Sequence, residues 1–122
     1  MNPMKKIYYL KTCTTCARII KALKLSEDFI LQDIKENPIR ANDLDRLKNM
    51  TGNYEALFSK RAKLYKEMGL KDKVLGPKDF RFHILQHYTF LKRPIIVLNK
   101  RVFVGNNKSV IKAVTKALAN EI

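Results

Sequence analysis

Cys13 and Cys16 are the only cysteines in the chain, and they stand in one short run, Cys13-Thr14-Thr15-Cys16. A thiolate is a nucleophile and a metal ligand, and a thiol is a poor version of both. Two cysteines at this spacing therefore point to a redox couple or to half of a zinc site. The redox reading needs them at a strand-to-helix junction, and the flanking residues supply one. Lys5 to Leu10 is β-branched and aromatic (Ile7, Tyr8, Tyr9), as a strand requires. From Cys16 to Leu25 the polar residues Arg18, Lys21 and Lys24 form one stripe, beside an apolar surface of Ala17, Ile19, Ile20, Ala22 and Leu23. That pattern predicts a partly buried helix, with Thr12 placed to cap it. The start of a helix offers unpaired N–H groups and a partial positive charge, which lower a thiol pKa. Lys11 and Arg18 add positive potential. Cys13 is thus the candidate nucleophile, and Cys16 is close enough to close a disulfide as the resolving thiol.

A structural zinc site takes four ligands. The two histidines, His83 and His87, are one helical turn apart and could in principle supply two more. Their ordinary place is a half-exposed helix face, and no second Cys/His pair has zinc spacing, so no metal is expected. Inert core cysteines are the remaining alternative, and they fit poorly with paired thiols at a strand-to-helix junction.

The rest of the chain supplies the elements that must hold the pair. Phe29-Ile30-Leu31 opens a second strand, ending near Asp33-Ile34, and Glu36-Asn37-Pro38 breaks the chain. A helical block follows over roughly residues 40–90. In it Asp43 is the expected cap of a helix carrying Leu44 and Leu47, and Thr51-Gly52-Asn53 stops that helix. Tyr54, Leu57 and Phe58 read as the next helix. Leu64, Tyr65 and Met68 continue helical spacing, and Gly69 suits a C-terminal cap. Gly76-Pro77 reads as a turn, and Asp79 as the start of a helix with Phe80, Ile84 and Tyr88 on one face. Ile95-Ile96-Val97-Leu98 is a buried strand, Asn99-Lys100 a tight turn, and Arg101 to Val104 its hairpin partner. A last helix aligns Val110, Ile111, Val114 and Leu118. The order β-α-β, helical block, β-β-α predicts an α/β fold with a mixed central sheet, the thioredoxin-like order, in one domain over residues 1–122. In such folds a cis proline ahead of the third strand faces the active cysteine. Arg93-Pro94 stands at that point, so the bond is predicted cis, with Arg93 projecting towards Cys13 as an anion clamp. The plain alternative for Arg93 is a surface side chain at a loop end.

Lys plus Arg is 25 against 11 for Asp plus Glu, a net charge of +14. A field of that sign attracts oxyanions, glutathione, nucleic acid or an acidic protein, or simply keeps the surface solvated. No helix–turn–helix or compact basic arm is present to read DNA. The apolar run near the N-terminus, Ile7 to Leu10, is too short for a signal peptide, and no run reaches membrane-spanning length. A cytoplasmic, reduced, membrane-free monomer is the expectation.

Three segments together resemble the ArsC/Spx family of glutaredoxin-coupled arsenate reductases and their regulatory relatives. They are Tyr9 to Lys21 with the Cys-Thr-Thr-Cys run, Leu57 to Leu70, and Leu91 through Arg93-Pro94 to Asn106. The resemblance spans nearly the whole chain. It implies two functions. In the reductases a cysteine attacks arsenate while arginines bind the oxyanion, roles that would fall on Cys13, Arg61 and Arg93, with Arg18 nearby. Glutathione and glutaredoxin, thioredoxin, or here Cys16, would resolve the adduct, and no bound cofactor is implied. In the Spx branch the two cysteines form a thiol/disulfide switch, and the protein binds the C-terminal domain of the RNA polymerase α subunit. Gly52 would correspond to a glycine of that contact surface, although a helix stop explains it equally well. Tyr9-Leu10-Lys11 in place of a His-Asn-Pro stretch, the second cysteine, and no arginine in Val104-Gly105-Asn106 all lean to the Spx branch. The reductase-like oxidoreductase is the leading expectation.

Overall fold

The protein is described by a computed structural model over residues 4–120. In chain order the elements are β1 (Lys5–Tyr9), α1 (Thr14–Leu23), β2 (Ile30–Asp33), α2 (Ala41–Thr51), α3 (Lys63–Glu67), α4 (Pro77–Gln86), β3 (Ile95–Leu98), β4 (Arg101–Val104) and α5 (Lys108–Ala119). Short 3-10 turns lie at Glu55–Leu57, Leu70–Asp72 and Tyr88–Phe90. The described chain divides into two compact units, residues 4–37 with 93–120, and residues 38–92.

The first unit is a mixed sheet in the order β2-β1-β3-β4. β1 and β2 are parallel, with Ile7 against Leu31 and Tyr9 against Asp33. Parallel strands need a crossover, and α1 provides it. β3 runs antiparallel to both β1 and β4. Lying between two strands, β3 is buried along its whole length, which is why its sequence is a continuous apolar run. β2 is an edge, and Ile30 and Leu31 are exposed on it. Ile7, Ile96, Leu98 and Phe103 meet Val114 and Ala117 of α5, with Ile20 and Leu23 of α1 packed against the same cluster. Asn107 caps α5 by accepting the Val110 N–H at 2.9 Å.

α1 begins two residues earlier than its apolar pattern predicts. Cys13, in extended conformation (φ −84°, ψ 112°), is the N-cap, and Thr12 is not. Thr12 instead lies in a turn closed by the Cys13 N–H donating to the Leu10 carbonyl at 2.9 Å. Ala17 and Ala22, expected on the apolar surface, are exposed, and Cys16 and Ile19 are the buried residues of the helix.

The helical block expected over about residues 40–90 is the second unit, residues 38–92. Several of its boundaries differ from the sequence reading. Arg40, not Asp43, is the N-cap of α2, and Leu44 and Leu47 are buried as predicted. Gly52 ends α2 at φ +102°, where only glycine is unstrained, so the helix-stop role is real. Tyr54 to Phe58 forms one 3-10 turn and no longer helix. The cause is a long-range pairing. Phe58 bridges antiparallel to Leu91, with Ser59 N–H donating to the Phe90 carbonyl at 2.6 Å and Lys92 N–H to the Leu57 carbonyl at 2.8 Å. α4 starts at Pro77, ahead of the expected Asp79, with the Asp79 carboxylate accepting the Gly76 N–H at 2.8 Å. The core of this unit is aromatic: the Phe58 ring stacks on Phe90 at 5.0 Å and meets Phe80 edge-on at 5.0 Å. Asp45 of α2 takes Arg81 of α4 through both carboxylate oxygens (2.8 and 3.2 Å) and the Tyr54 hydroxyl at 2.6 Å. No helix among the described residues is long and apolar enough to cross a membrane.

Candidate thiol site

The early start of α1 decides the geometry of the site. With Cys13 at the N-cap, Thr14, Thr15 and Cys16 fill the first helical turn, where the N–H groups have no helical acceptor. The Cys13 carbonyl accepts the first helical bond, from Ala17 at 3.1 Å. The two sulfurs then meet different surroundings. Cys13 is half-buried at the end of the helix, Cys16 is fully buried under it, and both are free thiols.

Their acidities diverge accordingly. Partial burial pushes the Cys13 thiol up, but the backbone N–H groups of Cys16 and Thr15, the Cys16 side chain and the Arg93 guanidinium outweigh it and hold the pKa below its ordinary value. The neutral thiol makes no short capping bond. The N–H groups favour the anion, which is the species they stabilise. Cys16 goes the other way. Burial, together with the neighbouring Cys13, pushes it up to about 11, against the pull of the Leu10 backbone N–H and Arg93. The first thiol is thus the easier of the two to ionise, and a difference in this sense is what an attacking and a resolving cysteine need.

Arg93 belongs to this site: its charge acts on both sulfurs. The Arg93–Pro94 bond is cis, as predicted, and Pro94 is buried at the head of β3 with its carbonyl accepting the Gly105 N–H at 2.9 Å. Cys13, Cys16 and Arg93 thus act on one another, and Pro94 adjoins Arg93 in the chain. Arg18 is exposed on α1, beyond Cys16. Arg61 and Gly52 lie in the other unit, Arg61 exposed in the turn before α3 and Gly52 at the end of α2. His83 is half-buried on α4 and His87 is exposed just beyond it. No cluster of three or more His, Cys, Asp or Glu residues able to hold a metal exists among the described residues. What residue types could not reveal is the part played by the backbone. The N–H groups of Leu10, Thr15 and Cys16 carry much of the electrostatics, and the only sequence signal for them is the junction itself.

A mixed sheet with a cysteine pair at the first strand-to-helix junction and a cis proline ahead of the third strand defines a thioredoxin-like thiol protein. More narrowly, the chain belongs to the ArsC family, whose model matches residues 8–114. It is 26% identical over 111 residues to the global transcriptional regulator Spx of Bacillus subtilis, covering 89% of this chain and 85% of that one. It is 28% identical over 112 residues to the global transcriptional regulator Spx of Streptococcus pyogenes serotype M1, covering 90% and 84%. Among solved structures it is similar to a possible arsenate reductase from Streptococcus mutans, with a TM-score of 0.74, 25% identity and coverage of 93% and 98%. An arsenate reductase from Vibrio cholerae shares the fold at a TM-score of 0.70 and 22% identity, covering 93% and 98%.

Proposed function

We propose that this chain is a thiol–disulfide oxidoreductase of the arsenate-reductase type, with Cys13 as nucleophile and Cys16 as resolving thiol. The observation that carries the reading is the placement of the two thiols, Cys13 half-buried at the N-cap of α1 and Cys16 buried one turn on, which favours ionisation of the first and disfavours that of the second. With a disulfide substrate, the Cys13 thiolate attacks one sulfur, the S–S bond breaks, and the departing thiolate takes a proton. Cys16 then loses its proton to solvent and attacks the Cys13 sulfur, releasing the second substrate thiol. Two electrons pass to substrate, and a Cys13–Cys16 disulfide remains. With an arsenate-like oxyanion, Cys13 displaces a hydroxide to form a sulfur–arsenic bond. Attack of Cys16 on the Cys13 sulfur then breaks that bond, leaving its electron pair on arsenic as As(III). Glutathione with glutaredoxin, or thioredoxin, returns the two electrons. Arg93 steadies the thiolate and the incoming anion, and Arg18, on α1, and Arg61, in the other unit, remain candidates for anion binding because a planar guanidinium fork suits tetrahedral or carboxylate groups. A reduced cytoplasmic setting suits a resting dithiol.

The test is turnover of arsenate, and of a glutathione mixed disulfide, by the reduced protein with each recycling system. Cys13→Ser is expected to abolish turnover, and Arg93→Ala and Arg61→Ala to slow it. Absence of turnover with every combination rejects the enzyme reading.

A second reading is favoured by the curated relatives, which are Spx regulators. In it the same dithiol–disulfide couple is a switch, and the surface at Gly52 docks the C-terminal domain of the RNA polymerase α subunit. A redox-dependent, saturable complex with that domain supports this reading. Failure to bind in both redox states removes it.

A further inference from the structure

Asp33, at the end of β2, is neither a cysteine nor a cation, and no role follows for it from the thiol chemistry above. Its Cα is in register with Tyr9, the last residue of β1, and the following Ile34 N–H donates to the Tyr9 carbonyl at 2.9 Å. One residue further along, where backbone pairing ends, the Asp33 side chain takes over. Its Oδ1 accepts the Lys11 N–H at 3.4 Å and the Lys35 N–H at 3.3 Å. Asp33 is itself anchored, since its carbonyl accepts the Asn37 N–H at 2.8 Å and Gln32 Nε2 donates to the Asn37 carbonyl at 2.8 Å.

The N–H of Lys11 and the carbonyl of Leu10 belong to one planar peptide group. That carbonyl is the acceptor of the Cys13 N–H at 2.9 Å. The Leu10 N–H, one peptide earlier, acts on the Cys16 sulfur. The chain of contacts is therefore Asp33 carboxylate, Leu10–Lys11 peptide, Cys13 backbone, with Cys16 reached through the adjoining residue. At 3.4 Å the first bond is long, so its value is directional and not strong. A carboxylate facing one end of a peptide dipole also makes the carbonyl at its other end a better acceptor.

We propose that Asp33 is a positioning residue for the thiol pair. It fixes the plane of the Leu10–Lys11 peptide and thereby holds Cys13 at the N-cap of α1. This rests on the reading of Cys13 as the low-pKa thiol. Position and charge make opposite predictions here. If Asp33 acted only through its negative charge, removing it would ease ionisation of Cys13. If it positions the peptide, removing it takes Cys13 out of line with the Thr15 and Cys16 N–H groups, and ionisation becomes harder.

The experiment uses the reduced full chain. Alkylation of Cys13 against pH, with Cys16→Ser as background, is compared in Asp33→Ala and Asp33→Asn. The expected result is a midpoint raised by about half a pH unit in Asp33→Ala, roughly a threefold loss of thiolate. Asp33→Asn is expected to stay near the parent, because its amide oxygen still accepts the Lys11 N–H. A midpoint unchanged or lowered in Asp33→Ala overturns the proposal. A second measurement needs no substitution: in amide spectra of the unsubstituted protein, the Lys11 and Lys35 amide protons are expected to shift together as the Asp33 carboxyl ionises. A Lys11 amide indifferent to that ionisation overturns the proposal even if Asp33→Ala does not fold. A parent midpoint that is not lowered would instead strike the thiol reading, and the amide titration would still decide whether Asp33 holds the peptide.

Discussion

In residues 4–37 and 93–120 each strand is fixed in register by a backbone ladder, whereas residues 38–92 rely on stacked rings, one two-residue bridge and a carboxylate shared by Arg81 and Tyr54. The contrast shows where each kind of work is done. The thiol pair needs its sulfurs aimed at particular N–H groups, and a registered sheet feeding a helix gives that aim. Anion capture and partner docking, the roles proposed for Arg61 and Gly52, need an exposed side chain or a shaped helix end, and the turn before α3 and the C-terminal end of α2 supply them. The proposed thiol chemistry falls in the sheet-bearing unit, and the roles proposed for Arg61 and Gly52 fall in the other.

The contrast can be broken most severely at the sulfurs. Cys13→Ser is expected to reduce turnover to background. Cys16→Ser is expected to stop the cycle after one event, with a mixed disulfide on Cys13 detectable by intact mass. Next in size is the aromatic core of residues 38–92: Phe58→Ala removes a buried ring and is expected to cost about 3–5 kcal/mol in a denaturant melt. A loss below about 1 kcal/mol would show that the stacked rings do not hold this unit together.

The alkaline limb of stability separates the sulfurs themselves. The folded Cys16 thiol ionises near 11, against an ordinary value of 9.0. Between those values the unfolded chain has lost a proton that the folded chain keeps, so stability falls as pH rises, by about 2–3 kcal/mol at most. The fall is expected to start near the ordinary value and level off near 11. Melts of the parent and Cys16→Ser across that range should converge on this schedule, and parallel curves would deny the burial effect. Smallest is Gly52→Ala. Nothing lies within 4 Å of the added Cβ, so the cost is the left-handed backbone alone, about 1 kcal/mol.

Much of the sheet-bearing unit was legible in the sequence because its signals are local. The Cys-Thr-Thr-Cys run, the apolar Ile95 to Leu98 strand, the Asn99-Lys100 turn and the Arg93-Pro94 step each announce themselves within a few residues. Helix starts were less legible. Thr12 and Asp43 are good capping types, yet Cys13 and Arg40 took the N-cap positions with extended backbones and no side-chain cap. The expected helix from Tyr54 failed for a different reason: Phe58 is drawn into extended conformation by Leu91, far along the chain. Asp33 escaped notice likewise, since its link to Lys11 joins residues 22 positions apart. Pairings of that separation leave no periodic trace.

The central claim is that the N-cap of α1 and Arg93 together keep the Cys13 sulfur ionised more readily than an ordinary thiol. The rate of Cys13 alkylation against pH, in the unsubstituted protein and in Arg93→Ala, tests it directly. The account predicts a midpoint below 9.0 in the first protein and a higher one in the second. A midpoint at or above 9.0 in the first protein, or one that does not move when Arg93 is removed, would contradict it.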